Sequence, residues 1–386
     1  MSMTRFEPRD ARDLSEIISK AVEDGSRLAI VGGGSKADFG APAECTKVCL
    51  GGLSGIVDYD PAELVLTVLA GTPLAEVEAL VAAEGQMLAF EPFDHGPVYG
   101  QPSGASTIGG VMAASVAGSR RVTAGGARDH LLGFTAISGR GTLFVGGAKV
   151  VKNVTGYDLP KLMAGSWGRL AAFTELTIKV LPKPRQTVTL VAEGLDPSTA
   201  HVAMARALGS NANISAAAHL SSGSTIFRIE GFEPSVAARC NALPSLLRDM
   251  CELHPLDEQS ADLFWKQAST GSGLAGSILW RVHLPARKAP DLITRLGEWD
   301  IDWAMDWGGG LVWVALDDCA CPLRDMAASL GGEATLVRGP VSMRADIPAF
   351  HPRTSGVMAL EKRVRAAFDP AGVFATGRFD GDGHAD

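Results

Sequence analysis

The nineteen residues GQPSGASTIGGVMAASVAG, Gly100 to Gly118, carry no charge and are built almost wholly from Gly, Ala, Ser, Thr and small apolar residues. Such a segment cannot do acid–base chemistry and cannot fill much of a core. What it offers is bare main chain, with amides that donate hydrogen bonds and no side chains to keep a partner away. A second run of this kind, VGGGSKA at Val31–Ala37, lies about 70 residues earlier. The fold must therefore place two stretches of naked backbone where something can lie against them. The competing reading of VMAASVA is a tightly packed Gly/Ala-rich helix.

The rest of the chain bounds the answer. At 386 residues it is long for a single core and suggests two domains. Hydrophobic residues make up 46% and charged residues 20%, which is ordinary globular composition. A formal charge of −8 argues against nucleic-acid binding, which needs a basic surface. MSMTRFEPRD lacks the apolar core of a secretory signal, and no apolar run is long enough to span a bilayer. The six cysteines form no C-x-x-C pair and no zinc or iron–sulfur spacing, so free thiols in the cytoplasm are expected. Without secretion, the glycosylation sequon Asn153–Thr155 is read as chance.

Local patterns divide the chain in two. Asp10 is a good N-cap for a helix carrying Leu14, Ile17, Ile18, Ala21 and Val22 on one face, which Gly25 ends. The strand Arg27–Val31 runs into the glycine loop, and short strands follow at TKVCL, GIVDYD, ELVLTVLAG and QMLAF. Thr72–Pro73 reads as an N-cap with proline at the first helical position. Gly139–Gly141 reads as a hairpin turn. A strand through Phe173, Leu176, Ile178 and Val180 ends at Pro182 and Pro184, which marks a domain boundary near Lys183–Gln186. Beyond it, helical and strand patterns alternate around six of the seven tryptophans. This half reads as an α+β layer with an antiparallel sheet and a tryptophan-rich core, the alternative for the tryptophans being a ligand pocket that they line.

The motif G-x-G-x-x-A in VGGGSKA is a loose Rossmann fingerprint. It requires a helix to begin at the loop so that its dipole and free amides meet a pyrophosphate. Asp38–Pro42 supplies no such helix, so a nicotinamide site is not expected. Gly32, Gly33 and Gly34 instead suit an anion-binding nest of consecutive amides, to which Ser35 adds a hydroxyl. Lys36 either lends charge to it or is solvated. In the second run, Thr107, Ile108, Gly109, Gly110, Ser115 and Gly118 are candidates for lining the same ligand. Together with Gly156-Tyr-Asp and Gly165-Ser-Trp-Gly, the two loops favour an extended dinucleotide.

The order of these segments resembles the vanillyl-alcohol-oxidase superfamily, whose FAD-binding fold is also called PCMH-type. Within it, the resemblance is to the FAD-binding accessory subunits of bacterial glycolate oxidases. It is carried by GGGSKADFG, STIGGVMAASVAGSRR, GARDHLLGFTAISGRG, VKNVTGYDLPKLMAGSWGRLAAFTELTIKVLPKP, DLFWKQ, LWRVHLP, MDWGGGLVWV and FDPAGVFATGRF, in order along nearly the whole chain. The resemblance implies an α+β fold. A two-lobed FAD domain would occupy residues 1–184, a smaller α+β domain with an antiparallel sheet 185–366, and 367–386 would return to the first. By position, Gly32–Ser35 would cradle the FAD pyrophosphate, and Thr107, Gly109, Gly110 and Ser115 the second phosphate and ribose. Ser115 replaces an Asn common in the superfamily. Ala172 and Phe173 would offer backbone groups to the isoalloxazine edge. Arg378 would either approach the flavin or tie down the tail.

Related 2-hydroxy-acid dehydrogenases carry G-H-x-G-D-G-N-x-H and a later E-H-G-x-G, which bind a metal. This chain has neither, and its eight histidines are scattered. No metal is expected, and no residue is assigned a catalytic role; His95 reads as a loop histidine rather than a base. No histidine stands in GGGSKADFG, so FAD should be held non-covalently. The resemblance implies a catalytic flavin subunit and an iron–sulfur subunit as partners in oxidising glycolate, with this chain in the cytoplasm and reaching the membrane only through them. A redox-silent scaffold and a self-sufficient FAD oxidase are the alternatives.

Overall fold

The computed structural model describes residues 5–148 and 157–379. The sequon at Asn153–Thr155 and Gly156 of the Gly-Tyr-Asp motif lie outside them. The chain forms two compact units. The first comprises the described residues of Met1–Ala117, Gly125–Lys183 and Pro352–Asp386; the second comprises Gly118–Ala124 and Pro184–His351. The return to the first unit thus begins at Pro352, earlier than 367.

The first unit has two lobes. In one, β1 (Arg5–Phe6), β2 (Leu28–Val31) and β3 (Thr46–Cys49) form a parallel sheet with β3 central. Helix α1 (Ala11–Asp24) packs Leu14, Ile18 and Ala21 into that lobe's core beside Leu28 and Val48. The Asp10 carboxylate accepts from the Asp13 amide at 2.8 Å, and Gly25 closes the helix at φ +65°, so both sequence signals operate. The other lobe is a five-stranded antiparallel sheet in the order β4-β5-β9-β7-β8: β4 (Ile56–Asp60), β5 (Val65–Leu69), β7 (Leu131–Ser138), β8 (Leu143–Gly147) and β9 (Ala171–Lys179). A small ribbon pairs β6 (Gln86–Met87) with β10 (Leu181–Pro182). Helices α2 (Leu74–Ala83) and α3 (Ile108–Ala114) send Val77, Val81, Ile108, Val111 and Met112 into the second core, against Leu66, Val68 and Leu176. Strand β9 serves both lobes, with Ala172 in the first core and Phe173 in the second.

Two local expectations need correction. QMLAF is a strand only at Gln86–Met87. Thr72 does not cap α2: its hydroxyl donates to the carbonyl of Leu69 at 2.7 Å, and Pro73 stands at the cap position.

The second unit is built on an eight-stranded antiparallel sheet in the order β14-β11-β13-β12-β16-β17-β15-β18. Its strands are β11 (Gln186–Ala192), β12 (Ala216–Leu220), β13 (Thr225–Gly231), β14 (His254–Pro255), β15 (Ile278–His283), β16 (Ile301–Asp306), β17 (Leu311–Leu316) and β18 (Glu333–Arg338). One face buries Phe227, Ile229, Ile278, Trp280, Val282, Trp303, Met305, Val312 and Val314 with residues of the helices Pro197–Leu208, Glu233–Leu247, Ala289–Leu296 and Leu323–Ser329. Because side chains alternate along a strand, residues such as Arg228, Arg281, Asp306 and Trp313 take the opposite face. The expectation of a single tryptophan core therefore holds for Trp280 and Trp303 but not for Trp265, Trp307 and Trp313. No helix among the described residues is long and apolar enough to cross a membrane.

Candidate cofactor site

Strand β2 delivers the chain into Gly32–Ser35, which lies directly on the segment Ala105–Thr107. A Cβ on Gly33 would stand 1.9 Å from the Ala105 carbonyl oxygen, and one on Gly32 would stand 2.1 Å from Thr107 Oγ1. Side chains at either position would force the two loops apart. The Ser35 and Ser106 hydroxyls meet at 2.9 Å, and Ser106 donates on to Asp94 Oδ1 at 2.9 Å. Asp94 also accepts from the amides of Gly96 at 2.9 Å and Gly104 at 2.6 Å. Burial would push its carboxyl up, but these donors outweigh that and hold it below the usual carboxylate range. Asp94 thus fixes the second glycine-rich segment directly and reaches the first through Ser106 and Ser35. Sequence reading passed over it for its neighbour His95, which stacks on Phe93 with ring centroids 4.5 Å apart. The signal available was the Asp94-His-Gly96 spacing, in which a carboxylate accepts from an amide two residues on.

Gly33, Gly34, Ser35 and Lys36 have amides with no protein acceptor among the described residues. Gly34 sits at φ +88°, and a Cβ there would meet nothing within 4 Å. Four consecutive amides around a left-handed glycine make the concave donor array that a phosphate needs.

The second loop is used differently from expectation. Thr107 caps α3, and the amides of Ile108, Gly109 and Gly110 already donate to the Thr72 carbonyl at 3.0 Å, the Ala70 carbonyl at 2.9 Å and Thr107 Oγ1 at 3.3 Å. Gly109 is bare because a Cβ there would meet the Ala70 oxygen at 2.6 Å. Of the two glycines in α3, Gly110 leaves room: its Cβ would lie 3.3 Å from Thr107 Oγ1 and 3.7 Å from Lys36 Nζ. The packed-helix reading of VMAASVA therefore accounts for α3, and the part of that helix open to a ligand is the surface at Gly110 beside the Lys36 ammonium.

Ser115 ends α3 at φ +50°, a backbone region that asparagine tolerates better than serine, which is a physical reason for asparagine at such a position. Gly165 and Trp167 then donate to the carbonyls of Met112 at 3.1 Å and Ala113 at 2.9 Å. Trp167 stacks on Phe39 with centroids 4.2 Å apart and planes at 11°, and Phe379 leans on both. Arg378 ties the tail to the glycine loop. Its guanidinium donates to the carbonyls of Phe39 at 2.7 Å and Ala37 at 3.0 Å, and to that of Lys36.

Ala172 and Phe173 are buried in β9. Strand β5 pairs with β9 only from Glu175 to Lys179, with one more bond from the Ala70 amide to the Thr174 carbonyl. At Ala171–Phe173 the edge of β9 away from β7 has no strand neighbour among the described residues. Gly118 belongs to the second unit, where its carbonyl accepts from Trp307 Nε1 at 3.0 Å.

A family model described as "FAD binding domain" matches residues 4–147. The chain is 35% identical over 375 residues to the glycolate oxidase subunit GlcE of Escherichia coli (strain K12), covering 95% of this chain and 96% of that one. It is 31% identical over 189 residues to the glycolate oxidase subunit GlcD of Bacillus subtilis (strain 168), covering 48% of this chain and 38% of that one. Among solved structures, p-cresol methylhydroxylase with substrate bound superposes with a TM-score of 0.73 at 13% identity, over 98% of this chain and 89% of that one. That likeness is one of fold.

Proposed function

We propose that this chain, which belongs to the family of the glycolate oxidase subunit GlcE, is the FAD-binding subunit of a glycolate oxidase. The observation that carries the reading is the row of four open amides at Gly33–Lys36, closed on one side by Gly110 and the Lys36 ammonium. A redox-silent scaffold would have no use for it. Gly33–Lys36 would hold a phosphate of FAD, and the free edge of β9 at Ala172 and Phe173 would meet the flavin ring. When bound, FAD supplies a two-electron acceptor. No histidine stands in the loop, so the attachment is non-covalent. Glycolate loses its hydroxyl proton and a hydride to become glyoxylate. The partners are a catalytic flavin subunit and an iron–sulfur subunit, with this chain passing electrons in the cytoplasm and meeting the membrane only through them.

The test is a purified chain assayed alone and after co-expression with both partners. It is expected to be yellow and to release all its FAD on acid precipitation. Alone it should turn glycolate over far more slowly than about 1 s⁻¹, the lower end of ordinary enzymes. Dye reduction should appear only in the complex. A colourless protein that takes up no FAD overturns cofactor binding. Rapid turnover by the lone chain makes it a self-sufficient oxidase.

Lys36 gives the cradle a pH dependence. Burial pushes its ammonium down to about 8, against the pull of Asp94, and Arg378 adds to the push. A phosphate favours the charged form, so binding FAD takes up a proton once the pH exceeds about 8. FAD affinity should therefore be constant below that pH and weaken above it, by up to about tenfold per pH unit. The FAD-free chain should move the other way. Its folded lysine titrates below the unfolded value of 10.5, so the cost of the buried charge is fully present below about pH 8 and is relieved as the pH rises toward 10.5. Fluorescence titrations with FAD read the affinity, and Lys36→Met should flatten the profile. An unchanged slope in that variant would remove Lys36 from the site.

A further inference from the structure

The face of the second unit's sheet that turns away from its helical core carries an unusual set of side chains. Arg281 on β15 stands directly opposite Trp313 on β17. Its guanidinium lies 5.6 Å from the Trp313 ring centroid and 5.4 Å from that of Trp307. His283, two residues along, stacks on Trp307 at 5.3 Å with planes at 18°. Arg121, exposed on the segment Gly118–Ala124 of the same unit, lies 5.0 Å from Trp307 on that ring's face.

The nearby carboxylate does not neutralise this group. Asp306 is fully buried and accepts from Ser119 Oγ at 2.7 Å and from the Trp307 amide at 2.7 Å. It attracts Arg281 electrostatically, but no carboxylate among the described residues stands at ion-pair distance from Arg281 or Arg121. Arg281 Nε, His283 Nε2 and Trp313 Nε1 are buried without a hydrogen-bond partner among the described residues. Buried polar atoms of a folded protein are nearly always paired, with protein, water or a ligand, and three such atoms stand together here beside surplus positive charge. Burial pushes His283 down to about 3, and the charges of Arg281 and Arg121 push the same way, so its imidazole is neutral and can bond a hydroxyl or carbonyl oxygen. Burial, with Arg121 adding to it, also lowers Arg281, to about 10, so it remains a cation at neutral pH.

We propose that Arg281, Arg121, His283 and Trp313 form a site for the carboxylate of a small 2-hydroxy or 2-oxo acid. The guanidinium fork matches a carboxylate in shape and charge. The indole rings hold that fork in place, and the imidazole reaches the oxygen on the adjacent carbon. The choice of a hydroxy acid, rather than carboxylates in general, rests on the glycolate reading given above.

The test uses the full chain with its FAD, titrated with glycolate and followed by tryptophan fluorescence and calorimetry. Ethylene glycol, which lacks the carboxylate, and sulfate serve as comparison probes. Glycolate and glyoxylate should saturate the signal, and ethylene glycol should not. Arg281→Lys keeps the charge but loses the fork, and should weaken glycolate binding about tenfold to a hundredfold with FAD content and circular dichroism unchanged. If that variant does not fold, Arg121→Gln at the exposed rim should weaken binding severalfold. No saturable binding, or unaltered binding in the folded variants, overturns the proposal. Sulfate binding as tightly as glycolate would mean an adventitious anion only and also overturns it. A chain that binds glycolate but takes up no FAD overturns the glycolate oxidase reading and leaves this site standing. A chain that holds FAD but binds no glycolate does the reverse.

Discussion

A chain carrying Gly110→Val is expected to fold and to purify without FAD. A Cβ at Gly110 makes only a close contact with Thr107 Oγ1 at 3.3 Å and an ordinary one with Lys36 Nζ at 3.7 Å, so the protein itself has room for a side chain. The branches of valine would then fill the space between α3 and the Lys36 ammonium in which a phosphate is to sit. Gly109→Val is a different experiment. Its Cβ would collide with the Ala70 oxygen at 2.6 Å, so it should damage packing as well as binding. Saturating FAD at a hundred times its dissociation constant stabilises by about 2.7 kcal/mol. Loss of FAD alone should then lower the melting temperature by roughly 3 °C for a chain of this length. The signature for Gly110→Val is a melting temperature equal to that of the FAD-stripped wild type. A yellow Gly110→Val protein would show that the cofactor does not pass this point.

Arg378→Ala should have an effect of similar size by another route. The guanidinium holds the carbonyls of Lys36, Ala37 and Phe39, and nothing in alanine replaces those donors. Hydrogen bonds from a charged donor contribute about 1.5–3 kcal/mol each at most, and partial resolvation of the carbonyls offsets part of that. A loss of about 2–4 kcal/mol is expected. The loop Gly32–Gly40 would also lose its fixed shape, so FAD should dissociate faster even where the chain remains folded. Stopped-flow release of FAD, with a urea melt of the stripped protein, separates the two effects. Arg378→Lys should recover only part of either, since one ammonium cannot reach three carbonyls as a planar fork does. Wild-type release from Arg378→Ala would mean that the tail does not shape the loop.

The helix caps, the strand into the first glycine loop, the hairpin at Gly139–Gly141 and the break near Lys183 could all be read from local patterns, because each rests on residues close in sequence. The openness of the first glycine loop was legible for the same reason: three consecutive glycines leave main chain bare without help from elsewhere. The second loop was not. Gly109 is bare to let α3 approach Ala70, a contact between distant segments that composition cannot separate from ligand space. Asp94 was missed because its work is to accept from amides at Gly96 and Gly104, and a lone aspartate in a loop carries no mark of that. Arg378 was recognised by position, but its role depends on carbonyls that only the folded chain brings to it. The tryptophans were read as one core because periodicity reports that a residue is buried without saying on which face of a sheet.

The clamp from Arg378 to Lys36 spans 342 residues of chain. A ribosome makes the glycine loop early and its fastener late, with the whole of Pro184–His351 emerging in between. The parallel lobe waits as well, because its core takes in Val373 and Phe374 and the Leu28 amide donates to the Val373 carbonyl at 2.8 Å. Cofactor loading becomes a late event in biosynthesis. Translation that stalls before Arg378 should leave a polypeptide with both glycine motifs intact and weak retention of FAD.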